Sequence, residues 1–334
     1  MFLKKLSRGF LLTQELTHEE KEGVFSSVVF LSHATNDYYF FILCSTIIAT
    51  FGLVTDSAAV IIGAMVVAPL MNPILGIAMG VVRGDLPLIN RSFRNLLFGV
   101  LVALAISWIS VRFLPYLQVT REILARTQPT LYDLIIALAA GAAGAYAIAK
   151  AQMFMALPGV AIAVSLMPPL ATTGIGLALG NQYIYLGSFL LFITNLVGIH
   201  LSGILVFALL GFVSKGAGEG RKNFLKHLRL SILLVILLSL PLGVMMERVY
   251  HKNKTESVIR QTINQGIGPL PESELAKLRW HEEKGRIIIV AVVYAPSVPG
   301  RELAEGLKKT LEKKLGSPVT FSLEVLPFVL HKIY

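Results

Sequence analysis

The feature that most constrains this chain is an apolar stretch, residues 60–80, with Pro69, Asn72 and Pro73 near its centre. The stretch is apolar enough to enter a bilayer, but Pro73 lacks the backbone donor for the carbonyl of residue 69, and its ring crowds that carbonyl. Within a membrane, a freed backbone group is tolerated only against protein or a water-filled cavity. The break is therefore either a packing kink or the wall of a site.

A second stretch of the same kind follows 100 residues later, at 160–180, and is broken by Pro168 and Pro169. Aligned without gaps, the two stretches match at Val160, Ile162, Pro169, Leu170, Gly176, Ala178 and Gly180. This register pairs Pro69 with Pro169 and Asn72 with Thr172. We interpret the match as an internal duplication of a broken membrane helix.

Composition agrees with a membrane protein. The chain of 334 residues is 54% hydrophobic and only 15% charged, whereas soluble domains carry roughly 25% charged residues. The net charge of +10 arises mostly at span ends and in two short loops, which is typical of membrane flanks. No basic face interleaved with aromatics indicates nucleic-acid binding, and the single cysteine, Cys44, excludes an intramolecular disulfide.

The hydrophobic pattern predicts a polytopic α-helical membrane protein with about seven spans, two internal repeats containing the broken helices, and a small C-terminal α+β domain. The predicted segments are an N-terminal cytoplasmic or interfacial segment (1–37), membrane repeat 1 (38–114), a connecting loop (115–130), membrane repeat 2 (131–213), a basic cytoplasmic loop (214–229), a last transmembrane helix (230–247) and an extracytoplasmic α+β domain (248–334).

Lys and Arg near span ends favour a cytoplasmic N-terminus and an extracytoplasmic C-terminal domain. If the broken helices span the membrane, each repeat crosses three times and the second repeat is inverted. If they are re-entrant hairpins, the chain crosses five times and the C-terminal domain is still outside. Inverted repeats with discontinuous helices that meet near the midplane recur among transporters.

The candidate solute or ion pathway combines the prolines of both breaks with nearby polar residues: Asp56, Pro69, Asn72, Pro73, Pro168, Pro169, Thr172, Thr173, Asn195 and His200. Half-helix N-termini at the breaks would attract an anion, whereas unwound carbonyls would bind a cation. Alternatively, Asn72, Thr172 and Thr173 only cover freed carbonyls.

Asn195 and His200 lie inside an apolar run, where polar groups are costly and often functional, and His200 would suit proton relay. An interhelix hydrogen bond is the alternative role for each. Asp56 and Asp133 precede apolar spans and are predicted helix caps, with gating or cation binding as an alternative for Asp56. The small residues Ala137, Gly141 and Ala145 predict close helix packing, either within the chain or between subunits of a homo-oligomer.

No catalytic or metal-binding signature is present, so we expect neither an enzyme nor a cofactor or bound metal. The sequence favours a transporter or channel for an unidentified small solute or ion. The rival interpretation is a structural or sensory membrane protein whose C-terminal domain binds a partner.

Four segments resemble a known family. The runs GLVTDSAAVIIGAMVVAPLMNPILGIAMGVVRGD (52–85), LPGVAIAVSLMPPLATTGIGLALG (157–180), LLFITNLVGIHLSGIL (190–205) and PGRELAEGLKK (299–309) resemble the family called domain of unknown function 389. The resemblance implies a protein of a prokaryotic plasma (inner) membrane. It supplies no binding or catalytic residues.

Overall fold

The computed structural model describes residues 16–114, 117–150, 166–213, 219–269, 272–283, 285–296 and 300–327. The chain divides into two compact units, Met1–Met246 and Glu247–Tyr334, which are described separately. The first half of the second broken stretch, up to residue 165, and the first 15 residues of the predicted interfacial segment lie outside the described residues.

In its described residues, the first unit consists of helices and the turns and loops that join them. Its helices are α1 (His18–Leu31), α2 (Asn36–Val54), α3 (Ala58–Val67), α4 (Met71–Arg83), α5 (Leu86–Arg112), α6 (Arg121–Ala125), α7 (Leu131–Ala149), α8 (Met167–Ala178), α9 (Gln182–Leu209) and the first part of α10 (Glu219–Ile267).

Five described helices, α2, α5, α7, α9 and α10, are long and apolar enough to cross a membrane. The pair α3 and α4, bent by 45°, makes a sixth candidate if it counts as one span. The described part of the chain thus has five to six candidate spans, where the sequence predicts about seven. The difference concerns the stretch 157–180, only half of which is described.

Helix α9 is the most enclosed of these spans, with 61% of its apolar window buried. It packs against α4, α7 and α8, while α8 also packs against α2 and α5. Large apolar side chains on the outer faces stay exposed, among them Phe40, Phe98, Ile135 and Leu186. This arrangement suits a bundle whose perimeter contacts lipid.

The start of the described chain is joined to the bundle by Arg83, at the end of α4. One guanidinium nitrogen of Arg83 donates to both carboxylate oxygens of Glu22 in α1, at 2.6 and 2.7 Å. The same guanidinium lies 4.5 Å from the ring centre of Phe25, within cation–π range. Helix α1 begins at a capping box formed by Thr17 and Glu20.

The second unit is the small α+β domain that the sequence predicts. After the last part of α10 come β1 (Glu274–Glu283), β2 (Arg286–Ala295), α11 (Arg301–Leu315) and β3 (Val319–Pro327). The sheet order is β1-β2-β3, antiparallel between β1 and β2 and parallel between β2 and β3. Ile259 and Ile263 of α10, Ile289 of β2 and Leu311 of α11 are fully buried in its core.

One continuous helix, α10, contains the predicted span 230–247 and extends into the second unit as far as Ile267. Pro241 lies within it, and no further proline occurs until Pro269. The helix ends at Ile267, just before Gly268 and Pro269, which are both helix breakers.

Candidate functional site

The first break lies between α3 and α4, at residues 68–70. Ala68 has an extended backbone, and the chain re-enters a helix at Met71. Pro73 is the third residue of α4, a position whose N–H has no helical partner, so proline is tolerated there. Of the two prolines in this stretch, Pro69 lies within the break and Pro73 lies in the first turn of the next helix.

The second break has the same design on its described side. Helix α8 begins at Met167 and has Pro168 and Pro169 in its first turn. The helices α4 and α8 start at Met71 and Met167, 96 residues apart. Pro169 thus corresponds to Pro73 and not to Pro69.

The ungapped 100-residue register is therefore wrong for these helices. It pairs Asn72 with Thr172, but Asn72 is the second residue of α4 and Thr172 is the sixth residue of α8. The 100-residue register maximises identities among small apolar residues, whereas helix boundaries depend on capping and proline positions. In the 96-residue register Thr172 corresponds to Gly76.

The same turn follows both helices, again 96 residues apart. Gly84 and Gly180 have left-handed backbones, with φ of 74° and 64°. The next residues, Asp85 and Asn181, cap α5 and α9 with side-chain oxygens that accept backbone N–H bonds. Glycine suits the left-handed position because it has no Cβ, and Asp and Asn are favoured caps.

A close contact joins α5 to α8. The Ser107 hydroxyl donates to the carbonyl of Ala171 at 2.7 Å. A Cβ added at Gly174 would lie 2.6 Å from the Ser107 Cβ, so glycine is required for this approach.

The shifted counterpart of this contact joins α9 to α4. A Cβ added at Gly203 of α9 would lie 2.9 Å from the Leu75 side chain and 3.1 Å from the Ala78 Cβ. Gly203, Leu75 and Ala78 are the 96-residue counterparts of Ser107, Ala171 and Gly174. Helix α8 thus packs closely against α5, and α4 packs closely against α9, at positions 96 residues apart; we call this pair of contacts the crossed contact.

Hydroxyl groups surround α8. Thr50 of α2 donates to Ser107 at 3.1 Å. Thr173 donates to the Pro169 carbonyl at 2.8 Å, and its oxygen lies 2.9 Å from that of Ser188 on α9. Sequence analysis missed Thr50, Ser107 and Ser188, whose only signal was that they are polar residues inside apolar spans.

Thr172 differs from these neighbours. Its side chain is fully buried, and its hydroxyl has no hydrogen-bond partner in the described structure. A buried polar group left unpaired costs about 1–3 kcal/mol. A strained feature of this kind is often retained because it serves a function.

The other candidates are distributed around α4 and α9. His200 of α9 lies beside the backbone of Ile74 in α4. Asn195 is also on α9 and is buried, whereas Asn72 is half-exposed at the first break. Helices α4 and α8 share α5 and α9 as neighbours.

The sequence predicts that Asp56 caps α3, and the structure shows that this prediction is wrong. The residue before α3 is Ser57, which makes no side-chain capping bond. The Asp56 carboxylate instead accepts from the Arg121 guanidinium at 3.0 Å and from the Glu122 backbone N–H at 2.9 Å. Its left-handed backbone, with φ of 55°, turns the side chain toward α6.

The other predicted cap is confirmed, since the Asp133 carboxylate accepts from the backbone and hydroxyl of Thr130. Segment 117–130, which contains α6, is thus attached at both ends. Ile123 of this segment is fully buried, so the segment covers one part of the bundle.

We expect acid to release this segment. The Glu122 backbone N–H and the Arg121 guanidinium hold the pKa of Asp56 below its usual value. A carboxyl group whose pKa is lowered on folding stabilises the folded state. This stabilisation is complete above the unfolded pKa of about 3.9 and is lost as the pH falls through the lower folded pKa. A Cys44→Ala, Ile123→Cys variant should therefore resist 4,4′-dithiodipyridine, a thiol reagent that still reacts in acid, at neutral pH. It should react with this reagent at pH below about 3.9, measured by the absorbance of the released thiopyridone.

Adding Asp56→Asn should allow labelling at every pH. Equal labelling of the parent variant from neutral to acid pH would contradict the attachment.

Among the described residues, no three His, Cys, Asp or Glu side chains are grouped to hold a metal ion.

Comparison with known proteins agrees with the membrane pattern. Residues 65–201, which contain both breaks, match the family described as "Domain of unknown function (DUF389)". The chain is similar to an uncharacterised protein of Methanocaldococcus jannaschii, MJ0678, with 28% identity over 238 residues, 71% of this chain and 72% of that protein. The match over residues 65–201 confirms the resemblance of this chain to the family called domain of unknown function 389.

Proposed function

We propose that the first unit is a membrane transporter or channel for a small solute or ion, built from two related modules. Module 1 is α4 with α5, and module 2 is α8 with α9. The observation that carries the proposal is the crossed contact, because the same pair of packing relations recurs with each residue shifted by 96 positions. A duplicated pair that exchanges half-helices supports a site shared by both modules.

The geometry of the first break supports a kinked span over a re-entrant hairpin. A bend of 45° leaves α3 and α4 advancing in the same general direction, whereas a hairpin needs near-reversal. Three crossings in the first repeat, α2, α3 with α4, and α5, would make the second repeat inverted. The N-terminus is then cytoplasmic and the second unit extracytoplasmic. Rocking of one module against the other would give alternating access.

The site that we assign lies along α8, at the hydroxyl of Thr172. Thr172 is available for a transported species because its buried hydroxyl has no partner among the described residues. The contributions of Ser107 and Ser188 would be to hold the half-helix in place. Hydroxyls and carbonyls, with no carboxylate among these contacts, suit a small polar solute or a monovalent ion.

Thr172→Val tests this assignment because valine keeps the shape and removes only the hydroxyl. If the hydroxyl binds solute, the variant should keep or gain stability, by up to about 1–3 kcal/mol, and lose flux. The measurement is stopped-flow light scattering of proteoliposomes challenged with KCl, NaCl, sodium phosphate, urea, glycine and glycerol, together with thermal unfolding.

The matched control is Thr173→Val, which removes the bonds to Pro169 and Ser188. It should lose stability, by about 1–2 kcal/mol. A wild-type protein that carries none of these solutes faster than empty liposomes, or a Thr172→Val variant with unchanged flux, would refute the assignment.

One observation favours the rival function, partner or ligand binding by the second unit. A groove of about 600 Å³ lies between the last part of α10 and the sheet. Its lining includes Arg248, His251 and Lys252 of α10 and Trp280 and His281 of β1. If the second unit is a sensor, replacing Trp280 should abolish signalling and leave any solute flux intact.

A further inference from the structure

The three-stranded sheet of the second unit has one face covered and one face open. Ile287, Ile289, Ala291, Val293 and Ala295 of β2 point to the covered face and belong to the core. The side chains between them point the other way, because successive residues of a strand alternate. The open face is therefore defined by the even-numbered residues of β2.

The centre of the open face is apolar. It carries Ile288, Val290, Val292 and Tyr294 in a row along β2. Ile288 and Val290 are half-buried and Val292 is buried, whereas Tyr294 is exposed. In a sheet with one solvated face, that face normally carries polar residues. Tyr294 and its neighbour Leu326 on β3 are 45% and 47% exposed, although both are large and apolar. Such a row on a face outside the core indicates a contact surface.

The two flanking strands carry opposite chemistry. On β1, the partners of Val292, Val290 and Ile288 are Lys277, Arg279 and His281. On β3, the partners of the same three residues are Glu324, Ser322 and Thr320. One edge of the open face is thus basic, and the other edge offers a carboxylate and two hydroxyl groups.

We propose that the open face binds the open face of a second copy of this chain, with a two-fold axis parallel to β2. Such an axis exchanges the two sides of the sheet and keeps each residue at its own level along the strand. Lys277 of one protomer then faces Glu324 of its partner, and Arg279 faces Ser322. Because the operation is two-fold, each pair occurs twice, and the surface is complementary to itself as a two-fold contact requires.

The charges also exclude the other face-to-face arrangement. A two-fold axis across the strands would place β1 over β1, so that the Lys277 and Arg279 side chains of both protomers would meet. Like charges in an interface cost several kcal/mol. Two packed sheets keep their strands within about 30° of each other, which agrees with an axis parallel to β2.

The open face is small for a stable dimer in solution. Three strands spaced by about 4.8 Å give a face about 14 Å wide, and a standard interface needs about 800 Å² from each partner. Confinement of both copies in one membrane raises their effective concentration. We therefore assign the contact to the membrane-anchored full chain.

The first test is cross-linking in membranes of the full chain with Cys44 replaced by alanine. A cysteine at Val290 lies on the axis, with its copy about 10 Å away. A two-carbon bis-maleimide should therefore give a covalent dimer on a denaturing gel. The control is Ser322→Cys, which lies beside the axis, about 14 Å from its own copy, and should give little dimer. Equal cross-linking at both positions, or none at Val290→Cys, would overturn the proposal.

The second test is charge reversal in the Val290→Cys background. Lys277→Glu and Glu324→Lys alone each create two like-charged pairs and should lower cross-linking about tenfold or more. The double variant restores opposite charges and should return cross-linking to the parent level. A double variant as poor as either single one would refute the pairing. In the single variants Val290→Cys should react fully with a monofunctional maleimide, and protection there would mean that the face is covered within one protomer.

Discussion

Gly174→Ala should destabilise the first unit by about 1–3 kcal/mol, the usual cost of an extra methyl group in a packed core. The added Cβ would lie 2.6 Å from the Ser107 Cβ and 3.0 Å from the carbonyl oxygen of Leu104. Adding Ser107→Gly should recover part of this loss by removing the first overlap. The crossed contact supplies the reason, because its other half already pairs Ala78 with Gly203.

Thermal unfolding in detergent, followed by the fraction of monodisperse protein, measures both variants. Gly63→Ala is the matched control, since nothing lies within 4 Å of a Cβ at that helical glycine. It should be neutral or stabilising by up to about 1 kcal/mol. A double variant no more stable than Gly174→Ala would contradict the equivalence of the two halves. So would a Gly174→Ala protein as stable as the control.

Gly187→Ala should have a larger effect, about 3 kcal/mol, at the upper end of the range for overpacking. A Cβ at Gly187 of α9 would overlap the Thr127 carbonyl oxygen and lie 2.8 Å from its carbon. Both atoms belong to the backbone of segment 117–130, so a rotamer change cannot relieve the overlap. We expect the segment to be displaced or the bundle to unfold at lower temperature.

Two measurements separate these outcomes. Thermal unfolding reports the loss of stability, with Gly63→Ala again as control. Maleimide labelling of Ile123→Cys, in the Cys44→Ala background, reports displacement of the segment at neutral pH. A Gly187→Ala protein that matches the control in both measurements would show that the close approach of α9 to Thr127 is not required.

Much of the local structure could be predicted from the sequence. The prolines of both breaks, the role of Asp133 in capping α7, and the strands and helix of the second unit depend on residues close together in the chain. Prediction failed where the partner is distant. Asp56 looked like a cap for α3 because Ser57 and the helix follow it, but its carboxylate binds α6, 65 residues away.

The candidate site shows the same division. Thr172 and Thr173 are adjacent and chemically alike, so sequence patterns treat them equally. The structure separates them, since Thr173 is bonded to Pro169 and Ser188, while Thr172 is buried with no hydrogen-bond partner in the described part of the chain. The importance of Ser107 and Gly174 is invisible in sequence, because it arises from two helices that approach each other within the bundle.

The sequence by itself determined that this is a helical membrane protein with two proline-broken stretches and a small α+β unit. Those features follow from apolar content, from the missing N–H of proline and from side-chain alternation, all of which act locally. Tertiary structure alone placed the starts of α4 and α8 96 residues apart, because helix boundaries depend on caps and proline positions and not on identities. It also decided which sheet face is left open, since alternation marks two faces and only packing selects the one that is covered.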